Sequence, residues 1–276
     1  MQLRAFGLTG RKVPVIGQGT WHMERARRAD AVAALRRGLD LGMTHIDTAE
    51  MYGSGEAEEI VGEAVAGRRD EVFIVSKVLP DNASRSGTIA ACERSLKRLK
   101  ADYLDCYLLH WRGRHPLSET IAGFDALARS GKIKSWGVSN FDAEDLDEAL
   151  SIAGEGKIAC NQVLYHLKER SIEHAVVPWC AKHKVAVVAY SPFGSGGKFP
   201  DHKGLTEIAA THGVTPRAVA LAFLTRERHV FAIPKSSNVT HVADNAAAGD
   251  VVLTPAEIAK LDAAFPLGRS RGLPML

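Results

Sequence analysis

Val72-Phe73-Ile74-Val75-Ser76-Lys77 is an apolar run closed by a hydroxyl and a lysine. Helical spacing follows over residues 87–100, and a second such run occupies 103–110. A strand with one solvated face alternates apolar and polar residues. A nearly unbroken apolar run marks a strand covered on both faces, as in a parallel sheet flanked by helices. The same rhythm extends outward in both directions. Strands are expected at 13–20, 43–48, 72–77, 103–110, 133–140, 159–165, 185–191 and 230–235, with helices at 29–41, 57–66, 87–100, 117–130, 143–152, 172–184 and 215–225. Thr215-Pro216 reads as a cap followed by proline at the first helical position, Asp142 as a second cap, and Gly131 as a helix stop. About eight β-then-α units of ~30 residues predict an α/β fold, a (β/α)8 TIM barrel forming one domain over residues 1–276. A hairpin over 3–15, centred on Thr9-Gly10, is expected to precede it.

The competing doubly wound sheet would carry G-x-G-x-x-G where its first strand meets its first helix. Gly17-Gln18-Gly19-Thr20-Trp21-His22 has no third glycine, and Gly53-Ser54-Gly55 follows the second strand. Gly194-Ser195-Gly196-Gly197-Lys198 lacks both the phosphate-loop spacing and its closing Ser/Thr.

The 276 residues hold 35 Lys and Arg against 32 Asp and Glu, a net charge of +3, and are 46% hydrophobic. That is a globular composition, not a disordered one. Arg25, Arg27, Arg28, Arg36 and Arg37 read as a solvated helix face, so no nucleic-acid partner is expected. No apolar run approaches the ~18 residues of a membrane helix, and Met1-Gln2-Leu3-Arg4 is no apolar leader. Cys92, Cys106, Cys160 and Cys180 form no C-x-x-C pair, which suits reduced thiols in a cytoplasm.

In a barrel, the C-terminal strand ends converge on one mouth, where active sites are built. Polar residues close almost every apolar run here: Thr20, Asp47, Lys77, His110, Asn140, Gln162, Tyr190 and Lys235. A lysine at a buried strand end must be paired or lose its proton, and Asp47, one strand earlier, is the partner within reach. Tyr52, five residues past Asp47, can fold back over that ammonium, which lowers a phenol of ordinary pKa ~10. Taken singly, Asp47 also reads as a turn residue, Lys77 as a snorkelling lysine, Tyr52 as loop packing and His110 as a core histidine. Together they form an acid, its activator, the activator's counter-ion and a hydrogen-bond orienter. Such a set suits protonating a carbonyl oxygen while hydride reaches its carbon.

Ile46-Asp47-Thr48-Ala49-Glu50-Met51-Tyr52-Gly53, Val75-Ser76-Lys77, Leu108-Leu109-His110-Trp111 and Trp136-Gly137-Val138-Ser139-Asn140-Phe141 resemble segments of the aldo-keto reductase family. Asn161-Gln162-Val163, Tyr190-Ser191-Pro192 and Ile233-Pro234-Lys235-Ser236 continue the resemblance in order, over about residues 16–265. It is strongest to the short bacterial branch of methylglyoxal and other small-aldehyde reductases. It implies Tyr52 as general acid, Lys77 as the group lowering its pKa, Asp47 as the holder of Lys77 and His110 as orienter of the carbonyl oxygen.

It also implies NADPH in an extended pose, with NADH as the weaker alternative. Tyr190 would stack on the nicotinamide, Ser139, Asn140 and Gln162 would bind its carboxamide, and Gly19, Thr20, Trp21 and Asp47 would complete that end. Ser191, Pro192, Phe193 and Gly194 would follow the pyrophosphate. Ile233, Pro234, Lys235, Ser236, Ser237, Asn238, His241 and Asn245 would receive the adenosine end. His241 stands where many members of the family carry an arginine, and a mostly neutral imidazole makes no bidentate grip. The preference for NADPH is therefore expected to be smaller than usual. No metal is expected, and members of this length are often monomers.

Trp21, Met51, Tyr52, His110 and Trp111 are expected to wall a pocket for small or flat aldehydes. Arg112, Arg114 and His115 read either as a selector of anionic substrates or as a solvated loop. The segment 194–203 and the tail 266–276 are expected to cover the mouth loosely. Two other function classes fit the residues less well: a barrel aldolase with a Schiff base on Lys77, and a cofactor-sensing binding module.

Overall fold

A computed structural model describes residues 1–195 and 199–276. Before the main sheet begins, β1 (Leu3–Ala5) and β2 (Lys12–Pro14) pair antiparallel, with Leu3 opposite Pro14. The turn between them sends Phe6 inward, where it is wholly buried against Phe73 at 4.9 Å and Phe231 at 5.2 Å between ring centroids. Gly7 makes this possible. Its φ is +54°, and a Cβ there would stand 2.3 Å from the Ala159 carbonyl oxygen. The hairpin thus plugs the end of the barrel at which the strands begin.

Eight parallel strands follow in chain order: β3 (Gln18–Gly19), β4 (His45–Asp47), β5 (Phe73–Val78), β6 (Leu104–Leu109), β7 (Ile133–Ser139), β8 (Ile158–Leu164), β9 (Ala186–Tyr190) and β10 (Val230–Ala232). Parallel bridges Ile16–Ala232 and Gly19–Lys235 close the sheet on itself, with Gly17 N donating to Ala232 O at 2.8 Å. The helices α1 (Arg28–Asp40), α2 (Glu56–Ala64), α3 (Arg85–Leu99), α4 (Leu117–Arg129), α5 (Ala143–Ala153), α6 (Val176–Lys182), α7 (Lys203–His212), α8 (Pro216–Leu224), α9 (Val239–Ala247) and α10 (Pro255–Ala264) complete the (β/α)8 fold.

The unbroken apolar runs are explained by two packed layers. Phe73, Val75, Cys106, Leu108, Cys160, Val188 and Phe231 fill the barrel. Ile74, Tyr107, Val138, Val163 and Val187 pack outward against the helices. Because successive side chains alternate sides, Phe73 and Val75 place Lys77 inside the barrel mouth.

Three readings of the sequence are corrected. The extended stretch 13–20 serves two sheets, ending the hairpin at Pro14 and opening the barrel at Gln18. The expected helix 172–184 is a 3₁₀ turn (Ser171–Glu173) followed by α6, broken at Ala175, whose φ of −135° is not helical. The helices α7, α9 and α10 were not anticipated, although Thr254-Pro255-Ala256-Glu257 is a readable capping box, with Thr254 Oγ1 accepting from Glu257 N at 3.3 Å. Among the described residues, no helix is long and apolar enough to cross a membrane.

Candidate active site

The mouth holds a cavity of about 210 Å³ lined from β3, β4, β7, β8 and β9 and the loops that follow β4 and β6, with Ile233 and Lys235 on its rim. Behind Asp47 and Tyr52, Lys77 is wholly buried and its ammonium meets three acceptors: Asp47 Oδ1 at 2.5 Å, Thr48 O at 2.8 Å and Tyr52 Oη at 3.1 Å. Gln162 Nε2 donates to the other Asp47 oxygen at 2.6 Å, and Thr20 Oγ1 donates to the Asp47 carbonyl at 3.0 Å. Isolated buried ions cost several kcal/mol each, so this site exists only because every charge has a near partner. Burial pulls the Lys77 ammonium down, but Asp47 and then Tyr52 outweigh it and hold its pKa above the ordinary value. All three ammonium protons are directed at acceptors, which leaves no lone pair for a Schiff base. The aldolase alternative is set aside.

Tyr52 opens a one-turn 3₁₀ helix (Tyr52–Gly55) in which Gly53 and Ser54 take positive φ of 55°. Its hydroxyl differs from the sequence expectation in one respect. Burial is the largest influence and raises its pKa, Lys77 lowers it, Asp47 raises it again, and the balance lies above the usual phenol value. Lys77 opposes burial without overcoming it. The His110 ring stands 5.7 Å from the Tyr52 ring, edge to face. Burial first, and Lys77 second, push His110 well below its ordinary pKa, so the imidazole is neutral. Its Nδ1 finds no partner among the described residues.

The opposite wall is a hydrogen-bonded amide cluster. Asn140 takes a φ of 59°, a conformation asparagine tolerates better than most residues. This turns its amide inward, where Nδ2 donates to His110 O at 3.1 Å and to Ser139 Oγ at 3.2 Å. Tyr190 Oη donates to Asn140 Oδ1 at 2.9 Å, which fixes a half-buried aromatic ring at the end of β9. Ser139 Oγ donates to Gln162 O at 2.9 Å. Gly19 brings bare backbone to the rim, since a Cβ there would lie 2.6 Å from Ile233 O.

The fold brings together Gly19, Thr20, Trp21, Asp47, Met51, Tyr52, His110, Trp111, Ser139, Asn140, Gln162, Tyr190, Ser191, Pro192, Ile233 and Lys235 around one cavity. Phe193 and Gly194 line an adjoining cavity with Pro192 and His166. Pro234 is buried beside Lys235, and Ser236 and Ser237 are half-buried. Asn238 caps α9, its Oδ1 accepting from Thr240 N at 2.9 Å and His241 N at 3.2 Å. His241 is exposed and Asn245 is buried on the same helix, and neither reaches the central cavity.

Arg112 points elsewhere. It pairs with Glu148 at 2.7 Å and Asp145 at 3.1 Å, and is not a free anion selector. Of the 194–203 segment, Gly196, Gly197 and Lys198 lie outside the described residues. The tail is tied rather than loose. Arg170 Nη1 donates to Phe265 O at 2.6 Å, His174 Nε2 lies 3.2 Å from Gly268 O, and Arg271 pairs with Glu169. It brings Met275 and Leu276 to the cavity, two wall residues the sequence reading missed because no local pattern signals a tail folding back over a mouth.

Residues 15–265 match the model of the aldo/keto reductase family. The chain belongs to that family. It is 46% identical to the methylglyoxal reductase YeaE of Escherichia coli, over 94% of this chain and 93% of that protein. It is 33% identical to the glyoxal reductase of Bacillus subtilis, over 92% of this chain and 90% of that protein. An aldo-keto reductase of Klebsiella pneumoniae, solved in complex with NADPH, superposes with a TM-score of 0.94 at 45% identity, covering 100% of both chains.

Proposed function

We propose that this chain reduces small aldehydes, 2-oxoaldehydes such as methylglyoxal foremost, to alcohols with NADPH. The observation that carries the reading is the Tyr52 hydroxyl, which lines the cavity at the barrel mouth, 3.1 Å from a fully buried Lys77 ammonium. The relatives' activities support the substrate class, and the donor set supports the cofactor. Tyr190 offers a flat aromatic face beside the Ser139, Asn140 and Gln162 cluster, Gly19 allows close backbone approach, and Lys235 supplies a cation at the rim for phosphate. Burial lowers the Lys235 pKa from its ordinary value of about 10.5, Glu24 pulls up and Arg25 down. NADPH, when bound, supplies the hydride.

The chain's own residues do the rest. Trp21, Met51 and Trp111 enclose the carbon end of the substrate and exclude water. Its oxygen lies between Tyr52 and His110. Neutral His110 offers a hydrogen bond to that oxygen without competing as the acid. Tyr52 donates its proton, and Lys77 stabilises the phenolate left behind, an effect strengthened by the low local dielectric. Asp47, held by Gln162 and Thr20, keeps Lys77 in place. With His241 exposed and unable to make the bidentate contact of an arginine, Lys235 carries most of the 2′-phosphate preference, so NADPH is favoured over NADH by a modest ratio. The same reading has residues 1–276 acting as one catalytic unit, a cytoplasmic monomer, and it takes small molecules rather than nucleic acid or membrane as partners.

The decisive experiment follows NADPH oxidation over methylglyoxal, aromatic aldehydes, keto-sugars and aldoses, in the wild type and in Tyr52→Phe. The variant is expected to lose about 10²–10⁴-fold in kcat, the range of a general acid, while binding NADPH unchanged. Wild-type turnover on none of these carbonyls, or near-normal turnover by Tyr52→Phe, would overturn the proposal. A kcat/KM with NADH equal to that with NADPH would overturn the cofactor preference.

A further inference from the structure

The loop carrying Tyr52 has no strand or α-helix to hold it, yet it contains a buried carboxylate that the chemistry above leaves unused. Glu50 is only 7% exposed. Its Oε1 accepts from Leu79 N at 2.8 Å and from Asn82 Nδ2 at 2.9 Å, and its Oε2 faces Arg94 Nη2 at 3.4 Å. Leu79 lies two residues beyond Lys77 on the way out of β5, and Glu50 N donates to the Lys77 carbonyl at 3.4 Å. Glu50 is therefore fixed to the chain that carries Lys77, one residue from Met51 and two from Tyr52. Thr48, on its other side, is fixed to the same strand through Thr48 N to Val75 O at 2.9 Å.

A buried carboxylate in a loop is costly, and it persists here because a backbone N–H, an amide and a guanidinium all point at it. If filling space were the requirement, an apolar side chain would serve without that cost. The backbone bonds from Thr48 N and Glu50 N carry the β4–β5 ladder as far as Lys77, and what a multidentate acceptor adds is a side-chain tie beyond that point, to Leu79 N, Asn82 and Arg94. We propose that Glu50 is a positioning residue, whose carboxylate sets the separation of the Tyr52 hydroxyl and the Lys77 ammonium by locking the Tyr52 loop to the exit of β5. Opposite Glu50, the loop's Gly53 rests on the Glu24 stem, where a Cβ on Gly53 would lie 2.6 Å from Glu24 Cγ. That contact is apolar and sets no direction, so past the end of the backbone ladder the side-chain tether falls to Glu50.

The inference rests on the reading of Tyr52 as the acid, and the test separates the two. Glu50→Leu removes the acceptor, Glu50→Gln keeps an acceptor for Leu79 N and Asn82, and Asn82→Ala removes one donor while leaving Glu50 in place. A displacement of about 1 Å costs on the order of 10²-fold in rate, so kcat with methylglyoxal is expected to fall about 10²-fold in Glu50→Leu. It should fall less in Asn82→Ala and recover to within a few-fold in Glu50→Gln. NADPH affinity, read by fluorescence titration, is expected to stay within about twofold, and the alkaline limb of the kcat–pH profile to move in step with kcat. A Glu50→Leu variant that folds and keeps wild-type kcat overturns the proposal, as does a rate loss with an unmoved pH limb. If Glu50→Leu does not fold, Asn82→Ala decides: wild-type kcat and an unmoved limb overturn the proposal. Activity retained in Tyr52→Phe would instead overturn the assignment of the acid, whatever the Glu50 variants do.

Discussion

Lys77→Met keeps the length of the side chain and deletes its charge, so it measures what the ammonium contributes to fold and to site. Lys77 and Asp47 are 0% and 1% exposed, and their atoms meet at 2.5 Å. Without the cation, Asp47 retains Gln162 on one oxygen and loses the partner of the other. Breaking a buried pair from one side costs about 3–5 kcal/mol, and at about 2 °C per kcal/mol for a chain of this size the melting temperature should fall by roughly 6–10 °C. The loss must depend on pH. Burial already raises the Asp47 pKa, and Lys77 is the largest influence opposing it. In the variant the folded-state value therefore stands well above the unfolded ~3.9. Folding then takes up a proton, so stability falls as pH rises above the unfolded value and stops falling once pH exceeds the folded one. Urea unfolding at pH 5 and pH 8 is the assay, with wild type beside it. The deficit should be larger at pH 8, and Asp47→Asn combined with Lys77→Met should cost much less than the two single changes added together. A deficit equal at both pH values, or simple additivity, would refute the view that this pair is one energetic unit.

His110 is neutral through the working range, because burial and Lys77 hold its pKa well below the ordinary value. The pH profile of kcat/KM should show no ionisation between about pH 6 and 8 that is lost in His110→Gln. Tyr52 sits above the usual phenol value, so reduction should stay flat from neutral pH up to about the ordinary phenol pKa of ~10. Alcohol oxidation, which needs the phenolate, should instead rise with pH. An ionisation near pH 7 in reduction, lost in Tyr52→Phe, would contradict this. Phe6→Ala empties the plug at the far end of the barrel and should cost about 3–5 kcal/mol in unfolding free energy, with KM for carbonyl substrates unchanged.

Much of this could be read from the chain because strand ends in a barrel are physically constrained. An apolar run ending in Asp47, Lys77 or His110 delivers its polar residue to the mouth, where partners for it converge; buried polar residues elsewhere, such as Asp105 with Arg69 and Glu58 with Ser76, have partners of their own. Where that logic applies, sequence and structure agree. It does not apply to Met275 and Leu276, which reach the cavity by tertiary ties at Phe265, Gly268 and Arg271. Nor does it apply to Arg112, whose destination was decided by Asp145 and Glu148 on α5. α9 and α10 escaped a search based on apolar spacing, although their caps at Asn238 and Thr254 were legible. The net effect of burial on Tyr52 was out of reach, because it depends on how completely the loop is covered rather than on which charge stands nearest.

That last difference changes how the site is understood. An acid with a strongly lowered resting pKa would lose its proton near neutral pH and stand idle in a fraction of molecules. Tyr52 is instead kept protonated by burial, while Lys77 lies at 3.1 Å. In a medium of low polarity, the attraction between a forming phenolate and that ammonium is several-fold stronger than in water. With Tyr52 as the acid, as proposed above, the stabilisation appears as the proton leaves, in the state where it would lower the barrier. Burial thus has two effects on one hydroxyl, holding the proton at rest and magnifying the cation's pull during transfer. Both require the hydroxyl and the ammonium to stay in register, which is the role proposed for the buried Glu50 just ahead of the Tyr52 turn.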